Sequence, residues 1–198
     1  MRMKRFEPLL LAPLLLVMLA ACSGESAPPA TPAADSKAQT PAPPAAADVR
    51  ALIAAAPEFG DYQFTNAAVS IPVASAQMSE PTRAMARELA EAGWIALDGA
   101  SDVMLTDRSR TDRRFLMRDN GILDIVPLAK KEMGEVSSVR KNPDGTVSAD
   151  FTWRWVPNEV GSVFTSGLVH DRFAATNEAR ATLIWNGTNW SVLSIEQR

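Results

Sequence analysis

The sequence predicts an α+β domain in which an antiparallel sheet, built from C-terminal hairpins, packs against two or three helices from the N-terminal half. Apolar and polar residues alternate strictly over residues 147–155, which indicates a half-buried strand. Turn motifs rich in Asn, Gly and Pro precede that strand and separate two further strand-like runs. Helix signals, by contrast, are concentrated before residue 94.

The first elements of the domain are predicted from their boundary residues. Asp48 is placed to cap a short helix over residues 49–56, which the following proline would end. Residues 62–64 and 69–73 alternate like strands. Pro72 cannot donate a ladder hydrogen bond, so the second of these strands is expected at a sheet edge or a bulge.

A second helix is predicted to start at Ser79, because a serine followed by Glu and Pro is typical of a helix N-terminus. Met85 and Leu89 lie four residues apart and would share its apolar face. Gly93 is a typical residue just beyond a helix end. A small hairpin is predicted next, formed by residues 94–97 and 103–105.

The C-terminal sheet is predicted from two hairpins. An Asn-Pro-Asp-Gly turn at residues 142–145 precedes the alternating strand, whose partner is expected over residues 133–141. An Asn-Gly-Thr-Asn turn joins a second pair of strands, residues 180–185 and 190–195. The alternating strand places one set of apolar side chains on the same face: Val147, Ala149, Phe151, Trp153 and Trp155.

The N-terminus has the pattern of an export signal. Three basic residues among the first five precede an apolar run over residues 8–18. That run is too short to cross a bilayer, which needs about 20 apolar residues, and is typical of a signal peptide. Leu19-Ala20-Ala21-Cys22 follows and resembles the lipobox of bacterial lipoproteins.

The lipobox resemblance implies that a signal peptide, residues 1–21, is cut before Cys22, which takes a diacylglyceryl group. The lipid bilayer would then be a partner, and the chain would face the periplasm. By resemblance to the sorting rule of enteric bacteria, Ser23 favours the outer membrane over the inner membrane. Cys22 is the only cysteine, so no internal disulfide competes for its thiol.

Two segments are expected after the signal peptide. Residues 22–47 comprise the lipidated cysteine and a disordered Ala- and Pro-rich tether, which has too little apolar surface to fold. Residues 48–198 have the length of one globular domain.

Several function classes lack their usual residues. His170 is the only histidine, so neither a Ser-His-Asp triad nor a zinc site is expected, and we assign no catalytic residue and no metal ligand. No phosphate-binding or dinucleotide-binding glycine motif occurs, so no cofactor is expected. The formal net charge of −3 also argues against a nucleic-acid partner.

Two segments are candidates for binding. Arg110, Arg113 and Arg114 would share a face if their segment were helical, and could bind phosphate or carboxylate groups. Neighbouring aspartates favour the alternative, a solvated face with internal ion pairs. The second candidate is the loop that ends the alternating strand, a possible binding rim: Pro157, Asn158 and Glu159.

The tryptophans and the paired carboxylates leave two functional hypotheses open. Trp153, Trp155, Trp185 and Trp190 could line a ligand groove, although the alternation favours a place in the core. The leading hypothesis is a non-enzymatic binding or interaction module of the cell envelope, whose partner is an envelope protein or a small ligand. The alternative is a hydrolase of cell-wall or lipid material that uses a carboxylate pair: Glu132 with Glu135, or Asp98 with Asp102.

Overall fold

The computed structural model describes residues 41–99 and 102–198 and confirms the α+β class. The signal peptide, Cys22 and the tether up to residue 40 lie outside the described residues. The helices in the described part are α1 Ala46–Ala55, α2 Pro57–Asp61, α3 Glu80–Glu91, α4 Asp107–Arg110 and α5 Gly167–Ala174. The strands in that part are β1 Val69–Pro72, β2 Ile95–Leu97, β3 Val103–Leu105, β4 Phe115–Met117, β5 Ile122–Ile125, β6 Ala129–Lys141, β7 Val147–Pro157, β8 Thr176–Trp185 and β9 Trp190–Gln197. None of the described helices combines the length and apolar character needed to span a membrane.

The first helix starts earlier than the sequence predicts. It begins at Ala46, two residues inside the expected tether, and Asp48 lies in its first turn rather than at its cap. Val49 and Ile53 are fully buried four residues apart, so packing on the sheet, rather than a capping side chain, positions the helix. Pro57 begins α2 as well as ending α1, because proline suits a first helical turn.

The boundaries of α3 are confirmed. The Ser79 hydroxyl accepts a hydrogen bond from the backbone N–H of Thr82. At the other end Gly93 has a φ of 75°, and the N–H of Trp94 donates to the carbonyl of Leu89 at 2.9 Å. This 6→1 bond satisfies a carbonyl that the helix leaves free and turns the chain into the hairpin of β2 and β3, as predicted.

Two small antiparallel sheets accompany the helices. One has the strand order β1-β5-β4, and Pro72 lies on its edge strand as predicted; the other is the β2–β3 hairpin. The strand predicted over residues 62–64 is wrong. Gln63 has a left-handed backbone with a φ of 52°, which breaks the extended conformation, and a 3-10 turn follows it.

The main sheet is a four-stranded antiparallel meander in the order β6-β7-β8-β9. The predicted alternation of β7 is confirmed, since Phe151, Trp153 and Trp155 are each 3% exposed or less while Arg154 is exposed. Both hairpins are longer than predicted, and β6 begins at residue 129 rather than 133. Helices α1 and α2 pack against strands of this sheet and join one hydrophobic core with its apolar face.

One residue on the polar face of β7 is buried. The Asp150 carboxylate accepts hydrogen bonds from Arg180 at 2.7 Å and from Ser138 at 2.9 Å, and it pairs with Arg140 and Arg198. The bond from Arg180 is the main reason why the pKa of Asp150 lies below its ordinary value. Asp150 therefore ties neighbouring strands together across the solvent face.

Candidate functional site

The predicted arginine patch does not lie on one helical face. Helix α4 ends at Arg110, so Arg113 and Arg114 lie in the segment between this helix and β4. Arg110 pairs with Asp107 at 3.6 Å. Arg113 is exposed. The helical arrangement on which the shared face depended is absent.

The structure brings the patch and the predicted rim together through Glu159. Arg114 donates to Glu159 at 2.7 Å and also pairs with Asp112, while Arg108 lies 3.7 Å from the same glutamate. The hydrogen bond from Arg114 is the main cause of the lowered pKa of Asp112. These carboxylates occupy donors of Arg114 and Arg108, an arrangement that supports the alternative of internal ion pairs for these two arginines.

The other two rim residues have structural contacts. The Asn158 side chain accepts from the N–H groups of Val160 and Gly161, both at 3.0 Å, and donates to the carbonyl of Pro127 at 2.7 Å. Pro157 lines a small cavity of about 340 Å³ that His170 also borders. His170 is exposed on α5.

Three of the four carboxylates proposed for a hydrolase have other partners. Glu132 pairs with Arg154 at 3.1 Å. Asp102 accepts the N–H of Ser75 at 2.7 Å, and Asp98 accepts the N–H of Asp102 at 3.0 Å. The two aspartates thus order the loops around the β2–β3 hairpin, and Glu132 makes a cross-strand ion pair on the main sheet.

An open apolar concavity, which we call the tryptophan groove, lies between the first two helices and the β8–β9 hairpin. It has a volume of about 790 Å³. Trp190 is 8% exposed and Trp185 is partly buried, with ring centroids 5.8 Å apart. The groove is lined by Pro44, Asp48, Ala51, Leu52, Ala55, Ala56, Pro57, Glu58, Trp185, Asn189, Trp190, Ser191 and Val192.

The sequence indicates only half of this groove. Trp185 and Trp190 flank a recognisable hairpin turn and were candidate ligand walls. The opposite wall comes from α1 and α2, more than 120 positions earlier in the chain. No local sequence pattern indicates that these two segments meet, so the sequence did not identify Leu52 and its neighbours as groove residues.

An aromatic cage around Lys131 was also missed. The Lys131 ammonium lies 5.1–5.7 Å from the ring centroids of Phe59, Tyr62, Trp153 and Trp155. It donates hydrogen bonds to the carbonyls of Phe59 and Tyr62. Burial lowers the pKa of Lys131 to about 8. The two carbonyl contacts anchor the chain after α2 to the sheet, and this helps to explain why residues 62–64 turn instead of forming a strand.

No cluster of three or more His, Cys, Asp or Glu side chains suited to a metal ion occurs in residues 41–99 and 102–198. Comparisons with protein families, with curated proteins and with solved structures found no match to this chain. The geometry of the described residues is therefore the basis for a functional argument about the domain.

Proposed function

We propose that this protein is a lipid-anchored, periplasm-facing binding module of the cell envelope, held in the outer membrane by acylated Cys22, with the tryptophan groove as its ligand-binding surface. The observation that supports the binding role is the groove itself. Its volume of about 790 Å³ falls within the roughly 300–1,000 Å³ range that is common for ligand sites. The anchoring role is supported by the lipobox.

The lining of the groove restricts the kinds of ligand that can bind there. Its walls are mainly Ala, Leu, Pro, Val and Trp side chains, which favour an apolar body. The charged residues among those lining it are Asp48 and Glu58, and both are acidic. An anionic ligand would be repelled, so the groove favours a neutral or positively charged molecule with an apolar surface.

The groove includes a residue near the N-terminal end of the described domain, on the side of the chain that carries the proposed anchor. Pro44 belongs to its lining and lies 22 positions after Cys22. An extended proline-rich segment spans about 3.1 Å per residue, which limits this distance to roughly 70 Å. The module would therefore meet ligands within that distance of the membrane surface.

Lipid anchoring is tested with a Cys22→Ser variant. We expect metabolic labelling with palmitate to be abolished and the protein to leave the membrane fraction, because serine offers no thiol for the diacylglyceryl group. A Ser26→Ala variant, which alters the tether and leaves the lipobox intact, should be labelled like the unmodified protein. Undiminished labelling of the Cys22→Ser variant would contradict lipid anchoring at Cys22.

Groove binding is tested with two fluorescent dyes that share an aromatic body. We expect the neutral dye N-phenyl-1-naphthylamine to bind more tightly than the anionic 1-anilinonaphthalene-8-sulfonate. Leu52→Glu should lower the affinity for the neutral dye by roughly tenfold to a hundredfold, since burying a leucine contributes about 1.5–3 kcal/mol.

The matched control for this experiment is Leu193→Glu. Leu193 is 55% exposed on β9 and does not line the groove. Its substitution should leave the affinity for both dyes unchanged. Equal losses in the two variants, or tighter binding of the anionic dye, would refute the groove as the binding surface.

A further inference from the structure

A second, polar cavity lies between the turn after α2 and the paired ends of β7, β8 and β9. Its volume is about 310 Å³, and it shares no lining residue with the tryptophan groove. Trp153 contributes to it from the main sheet, where it is 1% exposed. The cavity is lined by Tyr62, Gln63, Trp153, Thr176, Asn177, Glu178, Gln197 and Arg198.

Two residues that line this cavity each carry a buried hydrogen-bond donor with no partner among residues 41–99 and 102–198. The donors are the indole Nε1–H of Trp153 and the amide Nδ2 of Asn177. These residues face each other directly in the pairing of β7 with β8. Directly paired residues project to the same side of a sheet, with Cβ atoms about 4.5–5.5 Å apart. Two donors on neighbouring lining residues therefore lack acceptors in the described part of the chain, although buried polar groups are nearly always hydrogen-bonded.

The surroundings of the two donors favour an acceptor with negative charge. The Lys131 ammonium lies 5.7 Å from the Trp153 ring centroid, and Arg198, which also pairs with Asp150 at 3.0 Å, lines the cavity. Burial raises the pKa of Tyr62, so its phenol stays neutral at the edge of the cavity. Glu178 is the acidic residue among the lining side chains, and it is exposed.

The Gln63 side chain helps to form the rim opposite the sheet. It donates to the Tyr62 hydroxyl at 3.2 Å and to the Gln197 side chain at 3.4 Å. Asn66 in turn donates to Gln63 at 3.1 Å. The left-handed backbone of Gln63 is thus held by contacts on both sides of the cavity.

We propose that this cavity binds a small molecule through its carboxylate, whose oxygens accept hydrogen bonds from Trp153 Nε1 and Asn177 Nδ2. An ionised carboxylate is an acceptor-only group with two oxygens, so it can satisfy two neighbouring donors at once. Bonds to an ionised acceptor are also stronger than bonds to a neutral one. This site is separate from the tryptophan groove. It binds negatively charged ligands, whereas the groove favours neutral or positively charged ones.

The test follows the indole N–H resonance of Trp153 by NMR during titration of the ¹⁵N-labelled protein with sodium acetate. We expect a saturable shift that sodium chloride at the same ionic strength does not produce. Acetamide, which has one carbonyl oxygen and no charge, should produce a much smaller shift. The resonance is identified by its loss in Trp153→Phe, or by through-space cross-peaks to the Tyr62 ring, whose centroid lies 5.8 Å from that of Trp153.

A stability measurement on Asn177→Leu separates a ligand site from a structural contact. Leucine has the same branching and number of side-chain heavy atoms and removes a donor that lacks a partner in the described residues, so we expect a higher Tm and loss of the acetate-dependent shift. Asn189→Ala, an exposed asparagine that lines the tryptophan groove, should keep the shift. A lower Tm for Asn177→Leu would show that Asn177 satisfies a partner within the protein and would overturn the proposal, as would the absence of an acetate response or an equal response to acetamide.

Discussion

Trp153→Ala is expected to reduce the free energy of unfolding by about 3–5 kcal/mol, because it removes a large buried ring and leaves a cavity. Trp153 is 1% exposed. Its ring contacts Phe59, Tyr62 and Trp155 edge-to-face, with centroid distances of 5.2–6.5 Å. The substitution also removes one wall of the Lys131 cage, so the link between the sheet and the chain after α2 should weaken as well.

Arg154→Ala is the neighbouring control. Arg154 is exposed on the opposite face of the strand, and its partner is Glu132 at 3.1 Å. A surface ion pair contributes roughly 0–1 kcal/mol, so this variant should unfold almost like the parent protein. Urea denaturation of both variants measures the difference. Full stability in Trp153→Ala would mean that the aromatic row is not core and would favour an exposed ligand platform on the sheet.

Gly161→Ala is expected to destabilise the domain by about 1–3 kcal/mol or more, because the added methyl group overlaps backbone atoms. A Cβ at this position would lie 2.1 Å from the carbonyl oxygen of Leu128 and 3.2 Å from the Phe173 ring. The Leu128 segment cannot shift freely. Its carbonyl accepts the N–H of Asn158 at 2.9 Å, and its N–H donates to the carbonyl of Ala67 at 2.6 Å.

Gly60→Ala is the matched control, because it is a glycine-to-alanine substitution at a position with room for the added methyl group. Gly60 lies in α2, and apart from its chain neighbours and its own helix backbone no described residue has an atom within 4 Å of its added Cβ. Alanine is favoured over glycine in a helix by roughly 0.5–1 kcal/mol, so this variant should be as stable as the parent or more stable. Thermal unfolding followed by circular dichroism compares the two variants. Equal stability of both would show that the loop after β7 can move away from Leu128.

Several elements were predictable because their determinants are local. The alternation over β7, the turns at residues 142–145 and 186–189, and the serine and glycine that bound α3 all act within a few positions of the chain. The structure confirms these elements. The errors arose where local signals were outweighed by packing: α1 starts before Asp48, and residues 62–64 turn towards the Lys131 ammonium.

The candidate sites were less predictable, because each depends on contacts between distant segments. The pairing of Arg114 with Glu159 joins two predicted sites that are 45 positions apart, and it neutralises the charge of one of the three selected arginines. Lys131 alternates as an ordinary inward-facing strand residue, yet two rings of its cage and both carbonyl partners come from a helix and turn about 70 positions earlier. A sequence pattern reports which face a side chain occupies, but not which residues cover that face.

The sequence by itself determined the fold class, the aromatic face of β7, the caps of α3 and the prediction of a lipid anchor at Cys22, because each depends on neighbouring residues or on a short motif. Only the tertiary structure decided that two helices and a hairpin line the tryptophan groove, and that Trp153 and Asn177, whose buried donors have no partner in the described residues, line one polar cavity. The reason is physical. Cavities and unsatisfied donors are properties of long-range packing, and a linear pattern does not contain the distances that create them.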